Sequence, residues 1–126
     1  MDKKVFNTDK APAPIGPYSQ AVATNGMLYV SGQIPIIPAT GQLENGGIQA
    51  ETKQVMENLG AILQEAGINF DHVIKTSIFI ASMKDFALIN EIYGRYFGEN
   101  PPARETVEVS VLPKNVNVEI SCIAAL

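Results

Sequence analysis

Two residues in the C-terminal stretch PPARETVEVSVLPKNVNVEI have the chemistry to act together, Arg104 and Glu119. An arginine carries a rigid fork of N–H donors that grips a small carboxylate in two parallel hydrogen bonds. A glutamate close by can orient a water molecule and take its proton. Joined in one cleft, those roles describe hydrolysis of a small acid. Strand alternation puts Arg104, Thr106 and Glu108 on one face of their run, with Glu105, Val107 and Val109 on the other. In the last run Asn117, Glu119 and Ser121 share a face opposite Val118 and Ile120. The same pattern also fits two polar stripes turned to solvent.

A simple hairpin does not bring the pair together. A tight turn near Pro113-Lys114 would set Glu119 across from Glu108, and like charges directly opposite are unfavourable. Arg104 would then lie too far along its strand. Arg104 and Glu119 therefore act separately, meet through another strand order, or meet across a subunit boundary.

The elements that must position them are legible as patterns. Apolar runs at Ala21–Ala23 and Met27–Val30 flank Asn25-Gly26, a strong hairpin signal. The stretch PIIPATGQLENGG reads as loop. From Ile48 to Ala66 the apolar residues Val55, Leu59, Ile62, Leu63 and Ala66 form one helical stripe. Glu51, Gln54, Glu57, Asn58 and Glu65 lie off that stripe, and Gly67 follows as a C-cap. His72–Ala81 is β-branched and strand-like. Ser82 and Asp85 suggest a capping box opening a helix that runs to about Phe97, with Phe86, Ile89, Tyr93 and Tyr96 on one face. Strands at Ala103–Val109 and Val116–Ala124 complete an α+β domain, residues 1–126, with two helices covering one face of a mixed sheet. The other face keeps apolar residues, so an oligomer is expected.

Composition narrows the chemistry. The net charge of −4 and scattered basic residues argue against nucleic-acid binding as the main role. No apolar run approaches the roughly 20 residues that span a bilayer, and MDKKVFNTDK lacks a secretory apolar core, so a cytoplasmic location is expected. There is no Gly-rich phosphate loop, C-x-x-C, H-E-x-x-H or G-x-S-x-G. With one histidine and one cysteine, a zinc or Cys-His site within one subunit is not expected. His72 reads as solvated and Cys122 as a small core residue, in phase with Val118 and Ile120.

Long ordered stretches then carry a resemblance: APAPIGPYSQAV, LYVSGQIPIIPATG, NLGAILQEAG, INEIYGRYF, PPAR and LPKNVNVEI. Nearly end to end, the sequence resembles the reactive-intermediate deaminase family, of the RidA or YjgF type. The resemblance implies a chorismate-mutase-like fold and a homotrimer with clefts between neighbouring subunits. It implies hydrolysis of 2-imino acids and their enamine tautomers, such as 2-iminobutanoate and 2-iminopropanoate, to 2-oxo acids and ammonia, with no metal or cofactor. By the same resemblance Arg104 holds the substrate carboxylate and Glu119 positions the attacking water. Tyr18 lines the cleft, Ser31 and Gly32 border the ligand, and Asn90 supports the site. Tyr18 packing after Pro17, and Gly32 serving only a strand bend, are the local alternatives. The family usually has a small residue and then cysteine after the arginine, where this chain has Glu105 and Thr106. Thr106 shares Arg104's face and is expected to line the cleft. A carboxylate-binding sensor without turnover, and a ribonuclease or translation inhibitor, are the alternatives.

Overall fold

Asn25 and Gly26 both take left-handed backbone, with φ of 51° and 75°, and so close the hairpin between β2 (Ala21–Thr24) and β3 (Met27–Gln33). The computed structural model describes residues 1–126. Three further strands belong to the body of the sheet: β4 (Val73–Ile80), β5 (Ala103–Glu108) and β6 (Val118–Ala125). A three-residue strand, β1 (Lys4–Phe6), adds an edge that the sequence pattern did not announce, because three residues are too few to display an alternation. The spatial order is β1-β2-β3-β6-β4-β5.

Helix α1 (Ile48–Glu65) links β3 to β4 and packs on β6 and β3. Its expected stripe is buried at Val55, Leu59, Ile62 and Leu63, joined by Met56. Gly67, at φ 80°, ends it, and the Ile68 N–H reaches back to the Leu63 carbonyl. Two residues placed off the stripe are buried as well. Asn58 is 1% exposed because its amide donates to the carbonyls of Ile34 and Ile36 at 3.2 and 2.9 Å. Glu51 is 7% exposed because Asn117 donates to both its carboxylate oxygens.

Helix α2 (Phe86–Gly94) is shorter than its apolar spacing suggested. Beyond Gly94 the rings of Tyr96 and Phe97 turn onto Phe70, with centroids 5.2 and 5.5 Å away. The expected capping box at its start is also absent. Ser82 instead accepts from the Lys84 N–H and caps a short 3-10 turn over Met83–Asp85.

Both helices cover the same face of the sheet, where Leu28, Val30, Ile78, Ile80, Val118, Ile120 and Cys122 are buried. On the opposite face Val5, Val22, Tyr29 and Ile123 form a row across four strands, with Phe79 and Val107 further along. Tyr29 is 47% exposed and Val107 40%, an apolar surface of the kind that a partner chain covers. No helix is long and apolar enough to cross a membrane.

The order of the last strands decides the site. β4 lies between β5 and β6, parallel to the first and antiparallel to the second. The unfavourable β5–β6 hairpin is therefore avoided. Arg104 is the partner of Thr76, on the helix-covered face. Glu119 is the partner of Phe79, on the open face. One chain thus holds them two strand spacings apart and three residues along, roughly 14 Å in all, and on opposite sides.

Candidate functional site

The seven site residues expected from sequence fall into two groups. Glu119, Tyr18, Ser31 and Gly32 share a pocket of about 480 Å³ on the open side, walled also by Ile34 and Lys114. Arg104, Asn90 and Thr106 gather on the helix side of the edge strand β5.

The pocket is built around a bulge. Val30 pairs with Cys122 and Gln33 with Ile120, so Ser31 and Gly32 together stand opposite Ser121. That extra residue breaks the ladder and re-aims the chain. The Ser31 hydroxyl donates to the Ser19 carbonyl at 2.6 Å, and the Ser31 N–H to the Gln20 carbonyl at 2.9 Å. Gly32 lies directly beneath the Glu119 side chain. A Cβ at position 32 would come within 2.8 Å of the Glu119 Cδ. Glycine is required here for the close approach, since the carboxyl group occupies the space of a methyl group.

Glu119 itself is half-buried, and its carboxyl group has no hydrogen-bond partner within the chain. Burial pushes its carboxyl above the usual carboxylate range, because desolvation disfavours the charged form. A raised value suits a base that must hold a proton briefly near neutral pH. Gly32→Ala is expected to fold, because a glutamate end can swing away, while moving the carboxyl off its place. For a carboxyl acting as general base, displacement by about 1 Å would cost on the order of 10²-fold in rate. A loss of that size at unchanged melting temperature is the expected measurement.

The N-terminal segment roofs this pocket. Gln20, 1% exposed, accepts from the Thr8 N–H at 2.6 Å and donates to the Thr8 and Pro12 carbonyls at 3.0 and 2.9 Å. The strap so pinned carries Tyr18, whose ring is half-exposed and whose hydroxyl accepts from the Ile15 N–H at 3.2 Å. Gln20, Ile34 and Lys114 were not among the residues singled out from sequence. Only Lys114 sat beside a signal, the Pro-Lys-Asn turn, and its backbone is left-handed at φ 56°.

On the other side of the sheet, Arg104 is held from behind. One η nitrogen donates to Asn90 Oδ1 at 2.6 Å. The guanidinium lies over the rings of Tyr93 and Phe86, 5.2 and 5.6 Å from their centroids. No carboxylate comes within ion-pair distance, for the chain's two salt bridges are Lys75–Glu105 and Glu91–Arg95. Glu105 does not compete for Arg104. It points to the open face, where Ser77 and Lys75 bind it and hold its carboxyl below the usual range.

Thr106 shares Arg104's face, yet its hydroxyl oxygen is covered and has no hydrogen-bond partner. A covered orphan hydroxyl costs about 1 kcal/mol or more. Thr106→Val, which keeps the shape and removes the hydroxyl, is expected to raise the melting temperature by about 3 °C. A thermal melt on the two proteins checks it.

Known proteins share this arrangement of chain. The family model described as endoribonuclease L-PSP matches residues 8–126. A RutC family protein of Pyrococcus abyssi is 51% identical over 124 residues, covering 98% of each chain. The 2-iminobutanoate/2-iminopropanoate deaminase of Mus musculus is 49% identical over 122 residues, 97% of this chain and 90% of that one. The crystal structure of E. coli TdcF with bound serine has a TM-score of 0.93 at 40% identity, covering 98% of each chain. Sequence and architecture agree along the whole length, and the chain belongs to the YjgF/RidA family.

Proposed function

We propose that this protein hydrolyses reactive 2-imino acids and their enamine tautomers, among them 2-iminobutanoate and 2-iminopropanoate, to 2-oxo acids and ammonia. The observation that carries the reading is Arg104, a guanidinium fixed by an amide and two rings and left without an acidic partner. Such a group is ready for a carboxylate. The mouse relative is named for this activity, and the TdcF structure carries serine, a small amino acid with the same carboxylate.

Because Arg104 and Glu119 face opposite sides of one sheet, the working cleft lies between copies of the chain, Arg104 from one and Glu119 from the next. A homotrimer joined through the open sheet faces accommodates that arrangement. The substrate carboxylate docks on Arg104 in two hydrogen bonds. The Glu119 carboxylate takes a proton from water as the oxygen attacks the imine carbon, and the electron pair of the C=N bond moves to nitrogen. The proton then passes to that nitrogen to give a carbinolamine. The new hydroxyl gives up its proton to the amine as the C=O bond forms and the C–N bond breaks, so that ammonia leaves a 2-oxo acid. Ser31, Gly32 and Tyr18 shape the pocket around the reacting carbon, Asn90 steadies Arg104, and Thr106 stands two residues along on the same strand face. Purified threonine dehydratase, with semicarbazide trapping the imine that escapes, tests this directly. The protein is expected to suppress trapping, and Arg104→Ala to abolish that effect.

Separation of the two groups within one chain favours one rival, a carboxylate sensor in which Arg104 binds and Glu119 plays no part. Indifference of turnover to Glu119→Gln would support it. The family description also names endoribonuclease activity, against which the net charge of −4 counts.

A further inference from the structure

We propose that Tyr93 and Phe86 are positioning residues for carboxylate capture, an aromatic cradle that fixes the plane of Arg104. The inference rests on the reading of Arg104 as the carboxylate anchor. Arginine on an exposed edge strand would ordinarily sample many rotamers, and ordering it costs free energy at each binding event. Here the cost is met in advance. Asn90 takes one N–H of one η nitrogen and sets the rotation of the fork. The faces of Tyr93 and Phe86 attract the cation and define its plane. The remaining N–H donors are left for a ligand arriving edge-on.

Tyr93 is itself immobilised. It is 5% exposed, packs on Phe97 at 4.8 Å between centroids, and shares a 2.7 Å hydrogen bond between its hydroxyl and that of Thr76. Thr76 lies on β4 and is the register partner of Arg104. The ring beneath Arg104 and the strand beside it are thus tied to one another through a buried bond. Phe86 closes the other flank from the first turn of α2 and is only partly buried. Any buried tyrosine hydroxyl needs a partner; here that partner is on the strand next to Arg104, so the tie also fixes the ring against the guanidinium.

Steady-state kinetics with 2-iminobutanoate and calorimetric titration with 2-oxobutanoate test the cradle. Tyr93→Leu and Phe86→Leu are each expected to raise KM and the 2-oxobutanoate Kd about fivefold, the scale of a partly desolvated cation–π contact. Their kcat is expected to stay within about twofold, since neither ring touches the reacting carbon. Tyr93→Phe keeps the ring and loses only the Thr76 tie, so it is expected to recover most of the lost affinity. Should Tyr93→Leu fail to fold, Phe86→Leu still decides the matter. Unchanged KM and Kd in both leucine variants, or a fall in kcat alone, overturns the cradle. Absence of imine turnover in the wild type overturns the deaminase reading instead, and the 2-oxobutanoate titration then judges the cradle by itself. No Arg104-dependent binding of that ligand by the wild type would remove both.

Discussion

Arg104→Ala and Glu119→Gln chains, each inactive alone, are expected to recover about a quarter of the wild-type activity when unfolded and refolded together in equal amounts. The expectation follows from the sheet. Arg104 and Glu119 lie on opposite faces with β4 between them, so a cleft that uses both draws them from different copies. A mixed cleft is intact when its arginine comes from a Glu119→Gln chain and its glutamate from an Arg104→Ala chain. Random assembly satisfies each condition half the time. Each variant alone has a defect in every cleft. Removing the guanidinium strips the substrate carboxylate of its bidentate partner, and removing the carboxylate strips water of its base, a step worth on the order of 10²–10⁴-fold. Recovery near the expected fraction, read in the imine-trapping assay, assigns the two groups to neighbouring copies. If the refolded mixture stays as inactive as its parents while all three preparations are folded and assembled, the shared cleft is wrong.

The parts of this fold that sequence displayed are those in which neighbours along the chain decide the outcome. Asn25-Gly26 made its hairpin because left-handed backbone suits those two residues, and α1 buried the stripe that a 3.6-residue period prescribes. Alternation separated Arg104 from Glu105, and like-charge repulsion between Glu108 and Glu119 counted against the β5–β6 hairpin that the fold does avoid. What stayed hidden depends on partners far away in the chain. Asn58 and Glu51 are polar and looked like solvent positions, yet carbonyls at 34 and 36 and the amide of Asn117 make their burial favourable. The strap over the pocket is set by Gln20, whose contacts reach back to Thr8 and Pro12 and leave no periodic trace. Tyr93 looked like one more apolar position on a helix. Its ring under Arg104 became apparent only when β5 was seen to lie beside β4.

Glu119→Gln is expected to make the protein more stable at neutral pH while lowering its turnover by about 10²-fold or more. Glu119 sits half-buried over Gly32 with no donor from its own chain, and burial raises its carboxyl above the usual range. In the unfolded chain the same group titrates as an ordinary carboxylate. Between the two values the folded state binds the extra proton, so stability rises as pH falls through that window. The favourable contribution is fully present below the unfolded value and is lost as pH rises through the folded one. At pH 7 the ionised group is therefore a liability that glutamine removes. Solvent reaches half of the side chain, which limits the gain to about 1 kcal/mol, or about 3 °C in melting temperature. Melts of both proteins across pH 3 to 8 test the sign, and the gain is expected to shrink towards the acid end. A lower melting temperature for the glutamine variant at pH 7 would mean that a cation of a neighbouring copy, Arg104 first among the candidates, compensates the carboxylate, and the raised titration of Glu119 would fall. The activity profile has to agree with the melts: general-base action makes the acid limb of kcat/KM follow the ionisation of Glu119, since only the ionised form accepts the proton of water, and burial places that limb above the ordinary carboxylate range.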